Sequence, residues 1–169
     1  MTMPMNDVQL EKVTVNIGVG QGGQPLENAK KLLEQLTGSK AIHTLSRTRN
    51  PTFNLKKGEP IGVKVTLRNE PAIQFVKKAL VARENKVSQK NFDRTGNIAF
   101  GVPEYIDFPG MKYNPEIGIL GFDVCVTLEK PGTRIKRRKI APRKLPQKQR
   151  VSQSEAEAFM IKTFAVNVV

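Results

Sequence analysis

The sequence has no tryptophan, a single histidine and a single cysteine. One cysteine, Cys125, excludes an internal disulfide and a cysteine-based zinc knuckle. His43 lies in a short apolar run, and a lone histidine there is more often structural or surface than catalytic. No run approaches the roughly 18 apolar residues of a membrane span. The opening residues, MTMPMNDVQLEK, have neither a basic start nor an apolar stretch. No secretory signal is therefore expected, and the protein is expected in the cytoplasm without a membrane partner. Acids are scarce as well: 15 Asp and Glu stand against 28 Lys and Arg, a net charge of +13. Such an excess points to a nucleic acid, with an anionic membrane surface as the weaker alternative.

What is present fits one folded unit. The 169 residues, 38% of them hydrophobic, suffice for a single domain, 1–169, with one core. The charge is uneven. Residues 1–129 hold 17 basic and 13 acidic side chains, whereas residues 130–150, KPGTRIKRRKIAPRKLPQKQR, hold 10 basic and none acidic. A second basic concentration runs over residues 37–68, where Lys40, Arg47, Arg49, Lys56, Lys57, Lys64 and Arg68 face only Glu59. Lys and Arg that neutralise phosphates release condensed counterions, so a polyanion would explain a loop that adds nothing to a core.

Three segments alternate. Val13, Val15, Ile17 and Val19 fall on one face of a strand, with Lys12, Thr14 and Asn16 on the other. Ile61, Val63, Val65 and Leu67 alternate with Gly62, Lys64, Thr66 and Arg68, and Phe122, Val124, Val126 and Leu128 repeat the pattern in what reads as the last strand. A shorter strand is expected at 40–45. Helical spacing links Leu26, Ala29, Leu32, Leu33 and Leu36, ending at Thr37-Gly38. A second helix opens at Asn69-Glu70-Pro71. Residues 86–118 are rich in Gly, Pro, Asn and Asp and read as irregular, with a short apolar run at 98–102. Ser152 and Glu155 have the spacing of a capping box, which predicts a C-terminal helix over 152–165. Clean alternation is normal for antiparallel sheets with one open face. The expected fold is therefore α+β: an antiparallel sheet with helices packed on one face, long loops, and a basic C-terminal extension ending in a helix. The open face would carry Lys12, Thr14, Asn16, Lys64, Thr66 and Arg68.

GVGQGG is a literal G-x-G-x-x-G at Gly18, Gly20 and Gly23. A dinucleotide fingerprint also needs an acid roughly 20 residues on, and no acid stands between His43 and Glu59. A flexible strand–helix turn is favoured, a dinucleotide-dependent enzyme is the minor alternative, and a bound RNA phosphate at that helix start stays open. Glu104, Asp107 and Glu116 are not paired as acid and base. No enzyme and no cofactor or metal is expected. Phe53, in the basic loop, reads as either a core anchor or a ring that stacks on RNA. The 130–150 segment reads as an extension ordered by RNA phosphates, through Arg134, Lys136, Arg137, Arg138 and Lys139.

The motifs TVNIGVGQ, LTGSK, FNLKKGEPIGVKVTLR, NFDRTGNIAFGVPEYID and FPGMKYNPEIGILGFDV, in this order, resemble the large-subunit ribosomal protein family that binds 5S rRNA, the fifth in the universal naming. The GMKYNPEIGILGFD loop and the PGTRIKRRK stretch resemble its archaeal and eukaryotic branch. The resemblance implies a structural constituent of the ribosome in the central protuberance of the large subunit. Its partners would be 5S rRNA, large-subunit rRNA, peptidyl-site tRNA and neighbouring ribosomal proteins, one of them a small-subunit bridge protein. Lys12, Thr14, Asn16, Ser39, Lys40, Lys64, Thr66 and Arg68 would meet 5S rRNA. Asn16 and Thr66 match family positions that touch that RNA, whereas Ser39 stands where the family often has Gln. Arg47, Thr48 and Arg49 match a loop that approaches tRNA, and a loop this long is not expected to be rigid alone. Met111, Lys112, Tyr113 and Asn114 lie in a loop that matches the bridge. A free-standing RNA-binding regulatory module is the remaining alternative.

Overall fold

The structure, a computed structural model, describes residues 6–168; residues 1–5, part of the start read as non-secretory, and Val169 lie outside the described residues. In chain order the elements are β1 (Gln9–Gly18), α1 (Gln24–Thr37), β2 (Ile42–Leu45), β3 (Pro60–Leu67), α2 (Asn69–Val81), β4 (Lys86–Val87), β5 (Ile98–Val102), β6 (Phe122–Glu129), α3 (Arg134–Arg137), α4 (Gln153–Phe164) and β7 (Asn167–Val168). Five strands form one sheet in the order β2-β3-β1-β6-β5, and every neighbouring pair is antiparallel.

Alternation decides which face is covered. Val13, Val15 and Ile17 of β1, Val63 and Val65 of β3, and Val124 and Val126 of β6 are buried. The helices bury matching stripes: Leu26, Ala29, Leu32, Leu33 and Leu36 of α1, and Ala72, Phe75, Val76, Ala79 and Leu80 of α2. Phe75 of α2 meets Phe108 and Phe122 with ring centroids 5.2 and 6.3 Å apart, which joins helix, loop and strand. Burying each large apolar side chain contributes about 1.5–3 kcal/mol.

Local chemistry sets the helix ends. Gly38 takes the left-handed conformation at φ 63° and its N–H donates to the Glu34 carbonyl, closing α1. The Ser152 hydroxyl accepts from the Glu155 N–H and the Glu155 carboxylate accepts from the Ser152 N–H, so α4 begins with a complete capping box. Ala156, Met160 and Phe164 of α4 belong to the same buried cluster as the sheet residues.

Two expectations are corrected. Residues 86–118 are not wholly irregular, because they hold β5, whose Ile98, Phe100 and Val102 are buried while Ala99 and Gly101 face out. Nor is β6 the last strand, since β7 pairs in parallel with β4. The pairing of β1 with β6 slips once. Leu10 pairs with Leu128 and Lys12 with Thr127, so Glu11 is an extra residue, a bulge in β1.

Candidate nucleic-acid interface

The open face is a set of cross-strand rows. Thr66, Thr14 and Cys125 stand side by side on β3, β1 and β6, and the next row is Lys64, Asn16 and Asp123. Lys64 and Thr66 are exposed and Thr14 and Asn16 half-buried, so short hydrogen-bonding groups and one cation reach solvent from a backbone fixed by pairing on both sides. Desolvation and the Asp123 carboxylate push the Cys125 thiol up, opposite to the shift that activates a nucleophile. Ser39 and Lys40 lie in the turn between α1 and β2, where the Ser39 N–H donates to the Thr37 hydroxyl. This turn leads into the sheet edge, where Ile42 pairs with Lys64.

The basic loop, residues 46–59, is braced by its own backbone, a feature that its composition does not reveal. The Ser46 N–H donates to the Glu59 carbonyl and the Gly58 N–H to the Ser46 carbonyl, at 2.8 and 2.9 Å. Asn50 and Leu55 exchange both backbone bonds, and the Asn50 side chain caps the Thr52 N–H of a 3-10 turn. Arg47, Thr48 and Arg49 project from this frame into solvent. Phe53 at its tip is 70% exposed, which removes the core-anchor reading.

The loop at 109–121 is held from two sides. The Asn114 N–H donates to the buried Tyr105 hydroxyl at 2.8 Å, and the Asn28 amide of α1 donates to the Glu116 carbonyl at 2.7 Å. Met111 packs against the core while Lys112 and Tyr113 stay exposed.

Lys12, Arg68 and Arg137, placed by sequence in two separate groups, converge on one carboxylate. Glu11 Oε1 lies 2.6 Å from Arg137, 3.5 Å from Arg68 and 3.7 Å from Lys12. Arg137 also approaches Glu129 at 3.5 Å. Burial raises the Glu11 pKa, but Arg137, Lys12 and Arg68 outweigh it and the carboxyl ends below its ordinary range. Sequence reasoning missed Glu11. The available signal was an acid in the apolar phase of β1, two residues before Val13. Arg134, Lys136, Arg138 and Lys139 are exposed, and the Arg138 guanidinium donates to the Ala141 carbonyl. Sequence looked to RNA phosphates to order this segment; the chain supplies protein anchors as well.

At the GVGQGG turn, the Val19 and Gly20 N–H groups both donate to the Ile61 carbonyl, so the sheet engages two amides that a phosphate cradle would use. The sheet is antiparallel throughout, not the parallel sheet a dinucleotide site requires.

A half-covered sheet with a polar, cationic open face and basic loops at its rim is the layout of a protein that holds a polyanion. Comparison with known families narrows the class. Residues 3–56 match the model described as ribosomal protein L5, and residues 60–161 match the model of the C-terminus of the same ribosomal family. The large ribosomal subunit protein uL5 of Methanosphaera stadtmanae is 47% identical over 159 residues, 94% of this chain and 95% of the relative. That of Methanoculleus marisnigri is 48% identical over 164 residues, 97% and 98% of the two chains. That of Thermoplasma acidophilum is 47% identical over 167 residues, 98% of each. The chain belongs to the ribosomal protein L5 family of the large ribosomal subunit. It is a structural ribosomal protein and not an enzyme, and its place is the ribosome, in the cytoplasm.

Proposed function

We propose that the chain acts as a single domain that binds 5S rRNA through the open sheet face and so helps to form the central protuberance. The pairing of Thr14 with Thr66 and of Asn16 with Lys64 carries the reading, because it sets four RNA-competent side chains in fixed register on one surface. Folded RNA is recognised largely by shape, backbone and 2′-hydroxyl contacts, which short polar groups on a rigid sheet suit. The braced loop with Arg47, Thr48 and Arg49 would reach peptidyl-site tRNA through phosphate contacts, which carry no sequence information and so serve every elongator tRNA. The tethered loop with Met111, Lys112, Tyr113 and Asn114 would meet a small-subunit protein. Arg134, Lys136, Arg138 and Lys139 would meet rRNA phosphates.

Chemical footprinting of 5S rRNA with the purified protein tests this. A compact protected region that disappears when Lys64 and Thr66 are both replaced by Ala is the expected result. Protection that survives those replacements would move the site off the sheet face.

A further inference from the structure

The sheet face and the basic segment close on each other to make a cleft of about 670 Å³. Seven cations line it: Lys12, Lys136, Arg137, Arg143, Lys144, Arg150 and Lys130, the last paired with Glu155 at 2.8 Å. Volumes of this order hold small ligands or part of a larger one. Two acids, Glu11 and Glu129, line it as well, and Glu11 sits among Lys12, Arg68 and Arg137. The Glu11 side chain is 4% exposed, whereas those of Arg68 and Arg137 are 53% and 52% exposed. The carboxylate is thus sealed beneath cations whose outer faces remain in water.

The geometry points to this cleft as a built site for a backbone phosphate of RNA, with Glu11 as the positioning residue that holds Arg137, Arg68 and Lys12 in a common array to receive it. Lys12, Arg68 and Arg137 against Glu11 and Glu129 leave one positive charge in excess, and Lys136, Arg143, Lys144 and Arg150 along the cleft add to it, enough to attract an anion. Free Lys and Arg side chains lose much rotamer freedom when they bind, and Arg loses less where its planar fork is already set. Glu11 performs that ordering in advance. Arg137 is also drawn to Glu129, whose Oε2 accepts from the Thr133 hydroxyl at 2.7 Å, so the first turn of the basic segment is fixed to the end of β6. Backbone bonds continue the fixing, with the Arg143 N–H donating to the Ile135 carbonyl at 3.2 Å. An oriented guanidinium can grip a phosphate by two parallel N–H groups.

The inference rests on the RNA-binding reading above and adds a consequence with an unusual sign. Removing an acid from a cationic RNA-binding protein normally tightens binding, because the net charge rises. Here Glu11→Gln, which raises the net charge by one, weakens it.

The test measures the affinity of wild type, Glu11→Gln, Arg137→Ala and the double variant for 5S rRNA and for an unrelated duplex RNA of equal length, over a salt series. Glu84→Gln serves as control, since among the described residues Glu84 pairs locally, with Lys86 at 2.6 Å. The expected result is a roughly tenfold loss for Glu11→Gln, no loss for Glu84→Gln, and a salt slope shallower by about one unit, as one phosphate contact is lost. In the double variant the Glu11→Gln effect shrinks, because its target is gone. Binding by folded Glu11→Gln equal to or tighter than wild type overturns the inference. If Glu11→Gln does not fold, Arg137→Ala is compared with Lys139→Ala. Both remove one charge, a clearly larger loss for Arg137 is expected, and equal losses overturn it. Wild type that binds both RNAs equally counts against specific 5S recognition, while the Glu11 ratio on either RNA still decides the cleft. Wild type that binds neither RNA overturns both.

Discussion

Thr14 and Thr66 lie directly opposite each other in the β1–β3 pairing, so two methyl-bearing hydroxyls present a single polar spot on the open face. Thr66→Val keeps the shape and removes one hydroxyl. Binding to 5S rRNA is expected to weaken by about 1 kcal/mol, the scale of one lost polar contact. Thermal unfolding should be unchanged, since Thr66 is exposed. Equal affinity in a filter-binding assay would show that this row does not touch the RNA.

The braced loop permits a separation of functions. Replacing Arg47 and Arg49 with Ala leaves the backbone bonds that brace the loop in place, because they join Ser46 to Glu59 and Gly58, Asn50 to Leu55, Pro51 to Asn54 and Lys56 to Glu59. Binding to 5S rRNA is expected to persist while peptidyl-site tRNA is lost faster from ribosomes carrying the variant. Loss of 5S binding would show that loop and sheet face are one site.

Two glycines that face each other across β1 and β3 should respond differently to alanine. A Cβ on Gly62 would stand 2.8 Å from the Ile17 carbonyl oxygen and 2.8 Å from the Thr44 hydroxyl, whereas one on Gly18 meets nothing within 4 Å. Gly62→Ala is expected to destabilise by about 1–3 kcal/mol through crowding of fixed backbone, and Gly18→Ala to change urea unfolding little. Comparable losses would contradict the spacing.

Acid should erase the contribution of Glu11. Burial opposes ionisation, but the three cations prevail and the folded carboxyl titrates below its ordinary value of 4.5. A depressed folded pKa stabilises the protein above the unfolded value and is lost as pH falls through the folded one. The melting temperature of wild type should therefore exceed that of Glu11→Gln fully near neutrality, and the gap should close below about pH 4.5. A gap that widens in acid would reverse the sign.

Tyr105→Phe tests the loop that would reach the small subunit. It removes the acceptor of the Asn114 N–H without leaving a cavity, so about 1 kcal/mol of local stability is expected to go. Hydrogen exchange at Asn114 should accelerate while the exchange of β1 and β6 amides holds. Unchanged exchange would mean that other bonds hold the loop.

The main sheet was legible because the covered face imposes strict alternation on β1, β3 and β6. Strand β5 was not, since its outward residues are Ala99 and Gly101, which carry no polar mark to set against Ile98, Phe100 and Val102. The two-residue pair of β4 and β7 is too short for any period to register. Residues on the open face could be chosen by phase alone. The convergence of Lys12, Arg68 and Arg137 could not, because it depends on a bulge at Glu11 and on a segment more than a hundred residues away in the chain. The bracing of the basic loop was not legible for a related reason: it lies in backbone bonds, which side-chain composition does not report.

The outer position of β2 has a bearing on stoichiometry. This four-residue strand ends the sheet, and its Ile42 and Leu45 are 63% and 58% exposed. An unpaired edge with apolar side chains is a template for a second chain. Brevity and the flanking Lys40 and Arg47 restrain it, since an identical copy brings the same cations to the contact. A surplus of this protein over its RNA is then a colloidal problem: concentration and salt, which screens those cations, decide whether excess chains stay dispersed or join edge to edge.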